Sequence, residues 1–216
     1  MNGTENRRPL KTRSKPWAQA LAKFLAARKL KPNHISIAGM AFSVAGGVCL
    51  LAATHEFLFF FAAAACVQLR LLCNLMDGLV AVEGGLKSNY GDLFNEIPDR
   101  FADAVLLVCA GHAAGEIELG WCCAVLAVFT AYLRVFGGAL GQKQDFCGPM
   151  AKQQRMFVLT LGCIGAAINA ELDPRMPLLS DHLPFLTAAL LIIAAGSALT
   201  AAIRIARIGR GTLVKQ

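Results

Sequence analysis

Residues 73–100 read CNLMDGLVAVEGGLKSNYGDLFNEIPDR. Strongly apolar sequence lies on either side. The stretch puts Asn74, Asp77, Asn95 and Asp99 where helices built for lipid should be carrying Leu and Ala. Polar groups inside a membrane are costly and are usually retained for function. Here they are also ordered. On a helix, Asn74, Asp77 and Ala81 are spaced i, i+3, i+7 and share a face; Asn95 and Asp99 are i, i+4, and Asp103 continues their side. Two helices joined by a short loop are expected to be antiparallel neighbours, so the two polar faces should meet near one membrane surface.

The rest of the chain explains why these helices should lie in lipid. Of its 216 residues, 56% are apolar and 16% charged, against about 25% charged in soluble domains; mean hydropathy is +0.53. A span needs about 20 apolar residues. Six such segments are predicted: Asn33–Thr54, Phe57–Ala81, Gly91–Gly115, Leu119–Leu140, Arg155–Ala170 and Pro184–Ile205. The third begins with two polar turns. No repeat and no interdomain linker is evident. The expected organisation is a basic tail with an interfacial helix (1–31), a six-helix membrane domain (32–206) and a short basic tail (207–216).

Charge orients the bundle. Lys and Arg crowd the N-terminal region from Arg7 to Lys31, and recur at Lys87, Lys143, Lys152, Arg207, Arg210 and Lys215. The three opposite loops contain only Arg175. The positive-inside rule places both termini and the quoted loop in the cytoplasm, with a bacterial inner membrane as the expected location. The net charge of +7 then reads as topology and attraction to anionic lipid. Nucleic-acid binding is not indicated, because the basic residues hug the membrane ends. Before the first span, SKPWAQALAKFLAARKLKP is expected to form an amphipathic surface helix, with Ser14 as cap and Pro16 in the first turn. Trp17, Leu21, Phe24 and Leu25 share its apolar face. The plainer alternative is a cytosolic helix packed on the bundle. The eight cysteines form no CxxC pair and show no zinc-ligand spacing, so they read as small packing residues.

Asn74, Asp77, Asn95 and Asp99 together make an all-oxygen set suited to Mg²⁺ or Mn²⁺. Glycines 78, 84, 85 and 91 leave space beside it for a bulky substrate. The competing reading is a polar network that merely glues two helices; four oxygen groups at helical spacing around a Gly-rich turn weigh against it.

At these residues the chain resembles the CDP-alcohol phosphatidyltransferase family, whose signature is D-x2-D-G-x2-A-R-x8-G-x3-D-x3-D. Residues 74–99 give N-x2-D-G-x2-A-V-x8-G-x3-N-x3-D without gaps. Asp77, Gly78, Ala81, Gly91 and Asp99 match; Asn74, Val82 and Asn95 depart. Pro32, Asn33, Ile35 and Ser36 also match the start of the family's first span. The resemblance implies transfer of a phosphatidyl group from a CDP-linked lipid, usually CDP-diacylglycerol, to an alcohol, with release of CMP. It implies metal ions held at positions 74, 77, 95 and 99, with Asp99 also the catalytic base, and donor contacts at Gly78, Ala81 and Gly91. Homodimers are a further family precedent.

The departures carry consequences. Asparagine carbonyls ligate metal without charge, so the substrate-free site should hold metal weakly. Val82 removes the motif arginine. Arg70, one turn before Asn74, is the candidate replacement; its alternative role is a membrane arginine paired with a carboxylate of the third span. Arg134, Lys152 and Arg155 are candidates for holding a phosphate of the acceptor, a small hydroxyl compound. For Lys152 and Arg155 alone, membrane anchoring is as good a reading. A non-catalytic relative that binds nucleotide-lipid, or serves as a scaffold, is the alternative function.

Overall fold

The computed structural model describes residues 15–53, 55–83, 91–142, 144–172 and 184–213; for 83, 91–95 and 212–213 only the backbone is described. The described residues form seven helices: α1 (Pro16–Ala27), α2 (Pro32–Ala52), α3 (Leu58–Glu83), α4 (Gly91–Ala113), α5 (Ile117–Ala139), α6 (Lys152–Leu172) and α7 (Pro184–Leu213). Proline opens α1, α2 and α7, where its missing N–H costs nothing and its fixed φ suits the first turn.

Five helices, α2, α3, α5, α6 and α7, are long and apolar enough to cross a membrane. The third predicted span, α4, does not qualify on composition, because its first thirteen residues carry Glu96, Asp99, Arg100 and Asp103. Its arrangement nonetheless suits an apolar surround: Asp103 is buried while Ile97 and Phe101 are more than half exposed. The same inversion runs through the molecule. Arg70 and Arg155 head the fully buried side chains by size, while Val48, Trp121, Val125 and Leu191 face outward. A helix set that hides arginine and exposes valine is built for lipid.

The helices close into a ring. α2 packs on α3 and α4, α4 on α5, α5 on α7, α7 on α6, and α6 back on α3. The expectation that α3 and α4 would pack as direct antiparallel neighbours needs revision. They are not among the closely packed pairs; α2 lies against both, and long polar side chains bridge the space between them. Glycine permits this. A Cβ on Gly39 of α2 would come 3.1 Å from Cys73 Cβ of α3. At the far end, α4 and α5 cross at backbone distance, where a Cβ on Gly111 would lie 2.5 Å from Gly120 Cα.

The surface helix α1 splits its expected apolar face. Ala18 and Ala22 are fully buried against Leu75, Met76, Leu79 and Val80 of α3, with Leu21 and Leu25 alongside. Trp17 and Phe24 point away and are about half exposed. The N-cap position is Lys15, which makes no side-chain cap bond; the expected cap, Ser14, lies outside the described residues. α6 starts three residues earlier than predicted, which places Lys152 at its first position, and α7 continues to Leu213, so Arg207 and Arg210 stand on the helix. All eight cysteines are free.

Candidate active site

The N-terminal ends of α2, α4 and α6 and the C-terminal end of α3 lie together, and a narrow cleft opens among them. Ser36, Gly39 and Met40 of α2, Arg70, Asn74 and Asp77 of α3, and Pro98, Asp99 and Ala102 of α4 line it. The i, i+3 spacing of Asn74 and Asp77 turns both inward. Asp77 is 4% exposed, and its Oδ2 accepts a 2.9 Å hydrogen bond from the Ser36 hydroxyl. Across the cleft, Asn74 Nδ2 donates to both oxygens of Asp99, at 3.0 and 3.1 Å. Lys152 Nζ lies 2.5 Å from Asp99 Oδ2. A cation on the first residue of a helix opposes the helix dipole, so this lysine is held there by its partner. Pro98 has no N–H to donate within α4, which relaxes the helical ladder one residue before Asp99.

Beneath the cleft lies a buried ion network. Arg70 Nη2 donates to Asp103 Oδ1 at 2.7 Å, and also approaches Asp99 Oδ1 at 3.4 Å and the Asp99 carbonyl at 3.2 Å. Asp103 Oδ2 accepts from Arg155 Nη2 at 3.2 Å. Arg155 Nη1 reaches the Thr130 hydroxyl and the Met150 carbonyl. Arg70, Asp103 and Arg155 are each 1% exposed. In and around this network Arg70 Nη1, Arg155 Nε and Lys152 Nζ find no hydrogen-bond partner among the described residues; Lys152 meets Asp99 as an ion pair.

A second, wider pocket lies between the ends of α5 and α7 and the α5–α6 loop. Its polar lining is Arg134, Gln142, Gln144, Asp145 and the α7 arginines 204, 207 and 210. Arg134 pairs with Glu96 of α4 and stacks over the Phe146 ring, 5.3 Å from its centroid. Asp145 is partly exposed. Burial works against its charge, but hydrogen bonds from the Cys147 thiol and amide, together with Arg207, outweigh it and hold the carboxyl below the usual carboxylate range. Burial in turn pushes the Cys147 thiol up, and the bond to Asp145 adds to that.

Of the residues singled out from sequence, Arg70, Asn74, Asp77 and Asp99 share the cleft, and Lys152 joins them through Asp99. Gly78 is buried and Ala81 half-buried on the next turns of α3. Arg134 belongs to the second pocket, and Arg155 to the buried network under the cleft. Gly91 and Asn95 fall on the first turns of α4, where side chains and their surroundings lie outside the described residues. Arg70 does pair with carboxylates of α4, the alternative weighed for it, and it lines the cleft as well. Ser36 and Arg204 were not foreseen as site groups. Ser36 was legible only as a motif letter; nothing in its own sequence context points to Asp77, forty-one residues away. Arg204 sits on α7 and bonds the carbonyls of Thr130 and Cys147.

The oxygen set fits a hard divalent cation in kind. Among the described residues no three acidic, thiol or imidazole groups converge, so the described donors are two carboxylates and one amide. As placed, Asn74 offers Asp99 its NH₂ group; rotation about its last side-chain bond presents Oδ1 instead.

No family model matches the chain. The inner membrane protein YnbA of Escherichia coli (strain K12) is 26% identical over 165 residues, covering 73% of this chain and 80% of that protein. Among solved structures, Mycobacterium tuberculosis phosphatidylinositol phosphate synthase (PgsA1) in complex with manganese and citrate shares the fold, with TM-score 0.69 and 20% identity over 88% of each chain. The same enzyme with CDP-DAG bound gives TM-score 0.68 and 22% identity, over 88% of this chain and 92% of that one.

Proposed function

We propose that this chain is a membrane transferase that moves a phosphatidyl group from a CDP-linked lipid, CDP-diacylglycerol first among them, to a small alcohol and releases CMP. One observation carries the reading. Asn74, Asp77 and Asp99 line one cleft, in a fold shared with an enzyme solved with CDP-DAG and, separately, with manganese. That supports membership of the CDP-alcohol phosphatidyltransferases, which the gap-free motif spacing had suggested.

The acceptor oxygen forms a bond to the lipid-bearing phosphorus as the bond to the CMP oxygen breaks. The acceptor proton passes to Asp99, acting as general base. Bound Mg²⁺ or Mn²⁺ would supply charge neutralisation at the diphosphate, held by Asp77, Asp99, the Asn74 carbonyl and Asn95. Gly78, Ala81 and Gly91 leave room for the donor. Arg70 takes the place of the missing motif arginine: it lines the cleft, and its buried Nη1 has no hydrogen-bond partner among the described residues. Lys152 is the acceptor-side cation nearest Asp99, with Arg134 in the wider pocket and Arg155 in the buried network beneath. The small residues of α4 and α5 are used within the chain, at the Gly111–Gly120 crossing, so a homodimer would form on other surfaces. In this reading α4, third in chain order, completes the six spans, residues 32–206 are the catalytic domain, and the cleft faces the cytoplasm of a bacterial inner membrane.

A second reading has a specific observation behind it. Asp99 is already engaged by Lys152, Asn74 and Arg70, as it would be in a scaffold or nucleotide-lipid-binding relative that performs no chemistry. CMP release from CDP-diacylglycerol by the purified protein in detergent, with and without Mg²⁺ or Mn²⁺ and across an acceptor panel, separates the two. Metal-dependent release, lost in Asp99→Ala and Asp77→Ala, supports the transferase. Nucleotide binding with no release under any acceptor refutes it in favour of the binding protein.

A further inference from the structure

Asp103 lies outside the motif, one turn beyond Asp99 on α4. It is buried to 1% exposure and is shared by two arginines from two other helices: Arg70 of α3 at 2.7 Å and Arg155 of α6 at 3.2 Å. The same Arg70 Nη2 atom stands 3.4 Å from Asp99 Oδ1. Arg70 therefore has two carboxylates within reach and sits on the deeper one.

We infer that Asp103 is a positioning residue that draws the Arg70 guanidinium off Asp99 and so keeps Asp99 available to a divalent cation and to the acceptor hydroxyl. The inference rests on the transferase reading above. Its physical basis is competition for one buried cation. A guanidinium in a water-poor interior cannot stay unpaired. With the Asp103 charge present, the shorter contact goes to Asp103, and Nη1 has no hydrogen-bond partner among the described residues. With that charge removed, Asp99 is the closest remaining carboxylate, and Arg70 closes onto it. Asp99 already meets Lys152 at 2.5 Å and accepts two bonds from Asn74; a full Arg70 pair would occupy the oxygens a metal needs. In a site where two carboxylates have become amides, the cost of losing Asp99 is correspondingly large.

A purely structural role makes a different prediction. If Asp103 only ties α3, α4 and α6 together, its loss lowers stability and leaves the cleft of the folded protein unaltered. The test is Mn²⁺ affinity of the purified full chain in detergent, read from the free Mn²⁺ signal by electron paramagnetic resonance. For Asp103→Asn the dissociation constant is expected to rise about tenfold, the worth of one charge-assisted bond gained by Arg70 on Asp99. Arg70→Gln combined with Asp103→Asn should restore it to within about twofold of the unaltered chain. Should Asp103→Asn alone fail to fold, Asp103→Asn with Arg155→Gln restores the buried charge count and should show the same weakening. Unchanged Mn²⁺ affinity in a folded Asp103 variant, or no recovery on removing Arg70, overturns the inference alone. Absence of Mn²⁺ binding by the unaltered chain, with CDP-diacylglycerol present as well as without it, overturns the transferase reading and this inference together.

Discussion

Replacing Lys152 by methionine should make the substrate-free protein bind divalent cation more tightly while making it a poorer enzyme. Lys152 Nζ stands 2.5 Å from Asp99 Oδ2, with the two side chains 15% and 19% exposed. Methionine keeps the length of the stem and removes the charge. Lys152 meets Asp99 as an ion pair without a hydrogen bond of its own; exposed pairs contribute about 0.2–1 kcal/mol and breaking a buried pair costs about 3–5 kcal/mol, so this partly buried pair lies between. Releasing Asp99 from it is therefore worth about 1.5 kcal/mol to a competing cation, or roughly a tenfold gain in affinity. Asn74 still holds Asp99 in place, so the gain is not diluted by disorder. The helix should tolerate the change, because a cation at the first position of α6 opposes the helix dipole. Turnover should fall by about a hundredfold, the scale of losing one preorganised group that stabilises charge in the transition state. Mg²⁺ titration by calorimetry reads the first effect and CMP release the second. A folded Lys152→Met protein with unchanged or weaker Mg²⁺ affinity would refute the idea that Lys152 guards Asp99.

Asp99→Asn should keep the fold and lower CMP release by about a thousandfold, within the usual range for a general base, with intact folding checked by size-exclusion chromatography. Gly120→Leu forces a side chain into the α4–α5 crossing, where even a Cβ would lie 2.8 Å from Gly111 Cα; a loss of at least about 1–3 kcal/mol is expected, visible as a lower melting temperature in detergent. Asp145 should add a small acid-sensitive term to stability. Its carboxyl sits below the usual range because the Cys147 and Arg207 bonds outweigh the effect of burial. Its stabilisation is therefore present above the unfolded carboxyl value of about 3.9 and is lost as pH falls through the lower folded value. Melting curves from pH 6 to 3 should converge for the unaltered chain and Asp145→Asn at the acid end. Curves that differ by a constant offset would contradict this.

Helix positions were largely legible in the sequence, because lipid demands long apolar runs and charge marks their ends. The six predicted segments match α2–α7 to within a few residues at most ends. The exceptions fall at polar contacts. α6 begins at Lys152, whose side chain pairs with Asp99, and α7 outruns its apolar stretch where Arg207 pairs with Asp145 and Gln142 donates to the Ile208 carbonyl. Asn74, Asp77 and Asp99 were legible as a group, since helical spacing alone puts the first two on one face.

Periodicity says which side of a helix is polar, but not which helix that side meets. Every helix of this bundle has an outward apolar face that lipid satisfies equally well, so the ring order α2–α4–α5–α7–α6–α3 was written only in the inward contacts. The roles of the buried arginines were settled there too. From sequence, Arg70 was equally a ligand group and a paired membrane arginine; the three-dimensional structure gives it Asp103 and a place at the cleft together. Arg155 read as an acceptor-side cation, yet it lies in the interior, because Asp103 and Thr130, from α4 and α5, offer partners that no neighbour on its own helix supplies. Local spacing determined which polar residues enter the membrane; the low dielectric of the folded interior, where each charge must find a counterpart from another helix, decided where they point.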